Sequence, residues 1–168
     1  LLDTKWPEIR TGDLKEKIPY EKWDQFSIYI KNYKEEGKNL FCDYPYLVED
    51  LQVGEEIVID SWLFNVKVIE KSSDFLKVEA LNDCVIGSRR HINLPGINIR
   101  LPGINEKDKE DIKFWIEHGF DFIAASFIRN KENLNDIRNF LDENGGKEIK
   151  IISKIENAEG IKNMDEII

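Results

Sequence analysis

The stretch NEKDKEDIKFWIEHGFDFIAASF, residues 105–127, decides the fold class of this chain. It opens with a cap-type Asn105 and an acidic first turn, and apolar residues then recur at helical spacing until Gly119. The run FDFIAASF that follows is short and almost continuously apolar, as in a strand buried on both faces of a sheet. The stretch therefore predicts a helix followed at once by a buried strand.

The same alternation continues toward the end of the chain. KENLNDIRNFLDENGG, residues 131–146, carries its leucines and isoleucine on one side of a predicted helix. KIIS, residues 150–153, predicts another buried strand, and AEGIKNMDEII, residues 158–168, predicts the start of a third helix. Alternating helices and buried strands are typical of parallel βαβ units with right-handed crossovers.

The preceding part of the chain has a different pattern. Between residues 14 and 97, short β-type runs such as QFSIYI, EEIVID, LFNVKVIE and FLKVEAL are separated by Gly, Asp and Asn. This pattern predicts a small β-barrel or sandwich. The strand-like LLDT at residues 1–4 is expected to join the sheet of the later strands. The fold class predicted is therefore α/β, with an all-β domain inserted into the α/β domain.

Composition limits the classes of function. The chain has 168 residues, 41% of them hydrophobic and 34% charged, and a net charge of −9. The acidic balance argues against nonspecific nucleic-acid binding, and no apolar run approaches the roughly 20 residues that cross a bilayer. Cys42 and Cys84 lie far apart, so reduced cytosolic thiols are expected. Since the chain begins with Leu1 rather than methionine, we expect an excerpt of a longer protein.

Two charged residues mark the end of the last predicted strand. In IISKIENAEG, Lys154 and Glu156 are two positions apart, and strand residues at that spacing point to one face. The carboxyl ends of parallel strands host active sites in α/β folds. A carboxylate there can hold Mg²⁺ and a lysine can neutralise an anionic substrate. An ordinary surface ion pair explains the spacing equally well.

The segment DTKWPEIR near the start offers a second set of candidate ligands. Asp3 and Thr4 supply oxygen atoms, and Arg10 supplies a guanidinium fork suited to phosphate. The alternative is a strand that leads into a charged loop.

Two further segments carry weaker signals. In GSRRHINLPG, Arg89 and Arg90 could bind phosphate or form an exposed basic turn, and His91 is interpreted as incidental rather than catalytic. In ASFIR, Ser126 and an arginine follow the buried strand, a pattern that has little specificity by itself.

Taken together, these segments resemble the pyruvate kinase family. DTKxPEIRTG, GSRRxxNLPGxxxxLP, EKDxxDIKF, ASFIR and IISKIENxEG occur in the family's order, and the resemblance covers essentially the whole chain. It implies a partial TIM (β/α)8 barrel with an inserted small all-β barrel domain that acts as a lid. The expected boundaries are a barrel strand at 1–13, the lid at 14–97, and barrel helices and strands at 98–168.

The resemblance also implies roles for the charged residues. Lys154 matches the lysine that stabilises charge on the transferring phosphoryl group and the enolate. Arg10 matches a catalytic arginine that contacts nucleotide phosphate, and Arg90 matches a lid residue that reaches the phosphates. Glu156 matches a ligand of Mg²⁺ or Mn²⁺. Such a set suits phosphoryl transfer, which depends on positioning and charge neutralisation.

Three more positions correspond to a monovalent-cation site. Asp3 and Thr4 match the family's K⁺ ligands, and Glu8 falls where K⁺-dependent members carry glutamate. Ser126 is expected near the site.

The function implied is transfer of the phosphoryl group of phosphoenolpyruvate to ADP, giving pyruvate and ATP in glycolysis. A cytoplasmic location and a homotetramer are expected for the whole protein, with no nucleic-acid or membrane partner. The excerpt alone is expected to be inactive. The alternative is a catalytically dead paralogue or a nucleotide-binding remnant, against which the retained charged residues argue.

The four tryptophans depart from the family in a common way. The resemblance places Trp6, Trp23, Trp62 and Trp115 at positions where family members carry glycine or a glycine turn. Glycine permits positive φ, whereas tryptophan adds a Cβ and a large ring. We therefore hypothesise UGA codons that the source organism reads as glycine. UGG codons in the source DNA would exclude this explanation.

Overall fold

The computed structural model describes residues 1–4 and 8–168 of the chain. In chain order the strands are β1 (Leu2–Asp3), β2 (Ile9–Arg10), β3 (Ile18–Tyr20), β4 (Gln25–Tyr29), β5 (Leu40–Phe41), β6 (Glu56–Ile59), β7 (Phe64–Lys71), β8 (Phe75–Ala80), β9 (Cys84–Ile86), β10 (His91–Asn93), β11 (Phe122–Ala125) and β12 (Lys150–Ser153). The helices are α1 (Leu47–Asp50), α2 (Glu106–Glu117), α3 (Lys131–Glu143), α4 (Ala158–Lys162) and α5 (Met164–Ile167). No helix in this part of the chain is long and apolar enough to cross a membrane.

The chain forms two compact units, and the first contains both of its ends. This unit comprises the start of the chain and Arg100–Ile168. Its sheet is parallel and has the strand order β1-β11-β12. The pairing of β1 with β11 confirms that the opening residues join the sheet of the later strands.

Helix α2 begins as the sequence predicts. The side chain of Asn105 accepts a hydrogen bond from the backbone N–H of Asp108, whose carboxylate accepts one from the N–H of Asn105, forming a capping box. After the helix, Gly119 has φ +69°, a conformation that suits glycine. Apolar residues of α2 and α3 share one core with β11, whose buried members include Ile112, Ile123, Ile128, Ile137 and Leu141.

Two sequence predictions for this unit are wrong. The strand β12 is not buried, because it lies at the edge of the three-stranded sheet, where Ile152 keeps 44% of its surface exposed. The last predicted helix is broken into α4 and α5 at Asn163, which serves as C-cap of the first and N-cap of the second. A mid-segment asparagine favours such a break because its propensity for helix interiors is low.

The second unit, Glu8–Ile99, is built mainly of antiparallel strands. Its larger sheet has the order β2-β10-β6-β7-β8-β4-β5, and β3 pairs with β9. Ile9 and Arg10 belong to this unit because β2 pairs with β10, although the sequence assigned them to the barrel. The boundary therefore falls earlier than residue 14. Short strands such as β2 and β10 escape detection because two or three residues show no periodicity.

Three buried aromatic rings pack together in the core of this unit. The ring of Tyr20 lies 4.5 Å from that of Phe26 and 4.8 Å from that of Phe64, centroid to centroid. Phe64 is fully buried. Cys42 is also fully buried, and burial raises the pKa of its thiol to about 12.

Two of the tryptophans adopt backbone conformations that favour glycine. Trp23 has φ +78° and Trp62 has φ +75°, and their side chains are 62% and 64% exposed. Trp62 ends a run of three positive φ angles in the turn between β6 and β7. Trp115 lies within α2 and needs no such freedom, and Trp6 is outside the described residues. The structure therefore favours glycine at two of the four positions.

We expect Trp62→Gly to stabilise the protein by about 1 kcal/mol. Glycine removes the cost of the left-handed backbone at this position, which stabilises the folded state by about 1–2 kcal/mol. Its greater freedom in the unfolded chain lowers the free energy of unfolding again by about 0.4–1 kcal/mol. Urea unfolding of the protein expressed from its complete reading frame measures the change. Trp115→Gly is the matched control and should destabilise, because it puts glycine inside a helix and removes ring packing on Phe120 at 3.9 Å. Destabilisation by both changes would contradict this account.

Candidate functional site

The candidate site in the first unit forms where its three parallel strands end. Asp3 is the last residue of β1, Ser126 directly follows β11, and Lys154 directly follows β12. The register pairs Asp3 with Ala124 and Ala125 with Ser153, so the three strand ends are level. This alignment places one acid, one hydroxyl and one ammonium group side by side.

Lys154 is the centre of the resulting hydrogen-bond network. Its Nζ donates to Oδ1 and Oδ2 of Asp3 at 3.1 and 3.3 Å and to Oγ of Ser126 at 2.9 Å. It also lies 3.3 Å from Oε1 of Glu156. The Ser126 hydroxyl in turn donates to Oδ1 of Asp3 at 2.9 Å. The ammonium group is therefore held between two carboxylates and a hydroxyl.

Glu156 is fixed by the loop that follows β11. Its Oε2 accepts a hydrogen bond from the backbone N–H of Phe127 at 2.9 Å. Phe127 has φ +53°, a left-handed conformation that is costly for a bulky residue. Lys154 and Glu156 lie beyond the end of β12 at Ser153, so their pairing comes from this loop and not from strand alternation. The predicted strand geometry is wrong, but the predicted proximity of the two side chains is found.

Asn157 links the loop after β12 to the loop after β11 by hydrogen bonds, a role that sequence reasoning missed. Its side-chain amide donates to the carbonyl oxygens of Phe127 and Ile128 at 3.3 and 3.4 Å. Its side-chain oxygen accepts from the N–H of Gly160 at 2.7 Å, which caps α4. The available signal was the helix-capping asparagine three residues before a glycine.

The charges of the network shift two pKa values in opposite directions. Hydrogen bonds from Lys154 and then Ser126 lower the pKa of Asp3, against a smaller effect of burial. Burial alone would lower the pKa of Lys154, but its hydrogen bonds to Asp3 and Glu156 together outweigh this and raise it. Both groups are therefore charged at neutral pH.

The side chains of Thr4 and of Arg129, the arginine of ASFIR, are buried and form hydrogen bonds within the first unit. The Thr4 hydroxyl, in a residue that is 6% exposed, donates to the carbonyl of Ala124 and accepts from the N–H of Ser126, both at 3.3 Å. Arg129 is 4% exposed, and its Nε donates to Oδ1 of Asn133 at 3.2 Å. Arg129 therefore supports the strand end rather than facing a ligand.

The second unit holds the other candidate residues. Arg10 pairs with Glu8, and its Nη1 donates to the carbonyl oxygen of Arg89 at 2.7 Å. Nη1 of Arg90 lies 3.6 Å from Oδ1 of Asp60. Within the described residues, the buried Nε of Arg90 has no hydrogen-bond partner. The guanidinium groups of Arg10 and Arg90 therefore each have a carboxylate neighbour, and the Nε–H of Arg90 remains without an acceptor among the described residues.

Comparison with known proteins places the chain in a family. The family model described as "Pyruvate kinase, barrel domain" matches residues 1–168. The chain belongs to the pyruvate kinase family. It is 38% identical over 171 residues to pyruvate kinase of Geobacillus stearothermophilus, covering 100% of the chain and 29% of that protein. It is 40% identical to the enzyme of Lactobacillus delbrueckii subsp. bulgaricus, covering 99% of the chain and 29% of that protein.

A third relative has a similar identity to the chain. Pyruvate kinase of Eimeria tenella is 41% identical over 173 residues, covering 100% of the chain and 32% of that protein. The resemblance read from the sequence is thus confirmed, and the chain spans about a third of the length of these relatives or slightly less. The barrel-domain match also supports an α/β barrel fold for the family.

Mg²⁺ and K⁺, which the pyruvate kinase family uses, would have few protein ligands here. Among the described residues, no three His, Cys, Asp or Glu side chains are grouped to hold a metal ion. Glu156 and Asp3 each place a carboxylate oxygen within 3.3 Å of the Lys154 ammonium. Mg²⁺ often binds one or two carboxylates and completes its shell with water and substrate phosphate. The residues present fit that mode of binding.

Proposed function

We propose that this chain supplies part of a pyruvate kinase that transfers the phosphoryl group of phosphoenolpyruvate to ADP. The observation that carries the proposal is the Lys154 ammonium held between Asp3 and Glu156 at the carboxyl ends of parallel strands. A fixed ammonium there can stabilise the charge that develops on the transferring group and on the enolate oxygen, without reorganising during the reaction.

The metal ions would bind beside this ammonium. In the proposal, Glu156 holds Mg²⁺ or Mn²⁺, and Asp3 and Thr4 hold K⁺. A bound divalent ion supplies Lewis-acid polarisation of phosphoryl oxygens. Ser126 keeps Asp3 and Lys154 oriented through its two hydrogen bonds. Since Oε2 of Glu156 is fixed by a backbone N–H, its Oε1 is the oxygen that faces the ammonium.

In the second unit, the proposed partner is the phosphate chain of the nucleotide. Arg10 and Arg90 offer the forked donors that phosphate prefers. Both are partly exposed, with side chains 39% and 41% accessible. The unpartnered Nε of Arg90 supports this assignment, because a buried donor without a partner is costly unless a ligand satisfies it. The all-β unit would serve as the lid domain.

A coupled assay of pyruvate formation on the complete reading frame tests the proposal. Two versions of the gene are expressed. One carries glycine at positions 6, 23, 62 and 115, and the other carries tryptophan at the same positions. We expect pyruvate only when phosphoenolpyruvate, ADP and a divalent ion are all present, with a higher rate in K⁺ because Glu8 occupies the position of K⁺-dependent members. Absence of pyruvate from both versions would contradict the proposal, and retained ADP binding would then favour a nucleotide-binding remnant.

A further inference from the structure

His91 lies directly opposite Arg10 in the sheet of the second unit. The antiparallel register of β10 and β2 pairs these two residues. The next pair is hydrogen bonded, since the N–H of Thr11 donates to the carbonyl of Arg90 at 2.8 Å. Pairs alternate in antiparallel ladders, so Arg10 and His91 form the closer, non-hydrogen-bonded kind. Their side chains therefore share one face of the sheet at short range.

Two charged side chains interact electrostatically with the imidazole of His91. Arg10 lies in β2, and Glu8, which pairs with Arg10, directly precedes that strand. The N–H of Asp60 donates to the His91 carbonyl at 2.9 Å, and the Asp60 carboxylate faces Arg90. Burial lowers the pKa of His91, the Glu8 carboxylate opposes that shift, and the Arg10 guanidinium adds to it. The ring is therefore neutral at pH 7 while no anion is bound.

We propose that His91 is a proton-dependent phosphate-binding residue, which takes up a proton when a nucleotide phosphate binds at Arg10. The inference rests on the proposed function, because it assigns the Arg10 face to the nucleotide. His91 is half-buried, and it shares one face of the sheet with Arg10.

The charges on the sheet face that carries Arg10 and His91 determine whether phosphate binding raises or lowers the protonation of His91. Glu8 contributes one negative charge and Arg10 one positive charge, so a proton on His91 makes the group cationic. Without a ligand that charge is opposed by burial and by Arg10. A bound phosphate adds negative charge beside the ring, which favours the imidazolium form. The imidazolium then donates a charge-assisted hydrogen bond to phosphate oxygen, and the proton comes from the buffer.

Calorimetry on the full-length protein tests the coupling. ADP is titrated in the presence of Mg²⁺ at pH 7 in buffers of different ionisation enthalpy, which gives the number of protons taken up. We expect wild type to take up a larger fraction of one proton than His91→Gln does. The affinity ratio of wild type to His91→Gln should also fall between pH 6 and pH 8, by up to about tenfold for each unit by which the ligand shifts the pKa.

The other histidine of the chain provides a matched control. His118 caps the end of α2 outside the second unit, so His118→Gln should keep the wild-type proton uptake. Ionisation of ADP itself contributes equally to all variants. Equal uptake and equal pH dependence in wild type and His91→Gln would overturn the inference.

Two further measurements separate the possible failures. Arg10→Met should weaken ADP binding; if it does not, or if wild type fails to bind ADP, the nucleotide assignment and this inference both fail. If Arg10→Met weakens binding but His91→Gln leaves proton uptake unchanged, only the role of His91 fails. Should His91→Gln not fold, NMR titration of the wild-type imidazole decides: its pKa must rise when ADP is added.

Discussion

Replacing Lys154 with alanine should lower kcat for pyruvate formation by about 10²–10³-fold, the usual cost of losing one preorganised charge-stabilising donor. The ammonium group contacts Asp3, Ser126 and Glu156, so its loss also leaves two carboxylates facing an anionic substrate. Because that charge matters most as the phosphoryl group transfers, kcat should fall more than KM rises. Steady-state kinetics of the full-length protein measure both constants.

Lys150→Ala is the control for this substitution. Lys150 begins the same strand, β12, and its side chain is exposed at the opposite end from the site. The change removes the same charge and the same number of atoms, so kcat should stay near the wild-type value. If Lys154→Ala retains kcat within about threefold, or if Lys150→Ala loses as much, the assignment of the ammonium to catalysis is wrong.

Gly160→Ala should weaken both stability and activity, although glycine-to-alanine changes inside helices normally stabilise by up to about 1 kcal/mol. A Cβ at this position would overlap the backbone carbonyl oxygen of Ile128. A backbone atom cannot rotate away, so we expect a net loss of about 1–3 kcal/mol in the free energy of unfolding. The displaced backbone is the loop whose Phe127 N–H holds Glu156 and whose Ile128 N–H donates to the Lys154 carbonyl. A displacement near 1 Å can lower the rate by about 10²-fold.

Gly146→Ala distinguishes this clash from a general effect of added volume. The three atoms nearest to a Cβ there would be terminal side-chain carbons of Ile116, Leu141 and Ile149, each at 3.1 Å. Such atoms can shift, so the loss of stability should be smaller and kcat should be unchanged. Urea unfolding and steady-state kinetics of both variants give the comparison. Equal behaviour of the two variants would show that the Ile128 carbonyl is not the cause.

Elements with strong local signals were predictable from the sequence. Helix α2 has a capping asparagine, an acidic first turn and a terminating glycine, and the structure uses all three. Strand β11 has an uninterrupted apolar run and lies at the centre of its sheet. The exposure of β12 could not be predicted, because an edge strand and a central strand can have the same apolar sequence and differ only in their neighbours.

The candidate site was predictable in its members but not in its geometry. Lys154 and Glu156 follow a strand that ends at Ser153, and Phe127, which has a positive φ, donates its N–H to the Glu156 carboxylate. No local pattern predicts a left-handed phenylalanine, since the surrounding tertiary structure imposes it. The position of His91 opposite Arg10 depends on the register of two very short strands, which sequence periodicity cannot fix.

The reactivity of the buried Cys42 thiol can report transient opening of the second unit. Alkylating reagents attack the thiolate, and this sulfur is both enclosed and held in the protonated form, with a pKa of about 12. Modification must therefore wait for the surrounding strands to separate, whereas the partly exposed Cys84 is accessible without such an event. The rate of Cys42 modification, compared with that of Cys84, therefore measures how often the unit opens, without an engineered label.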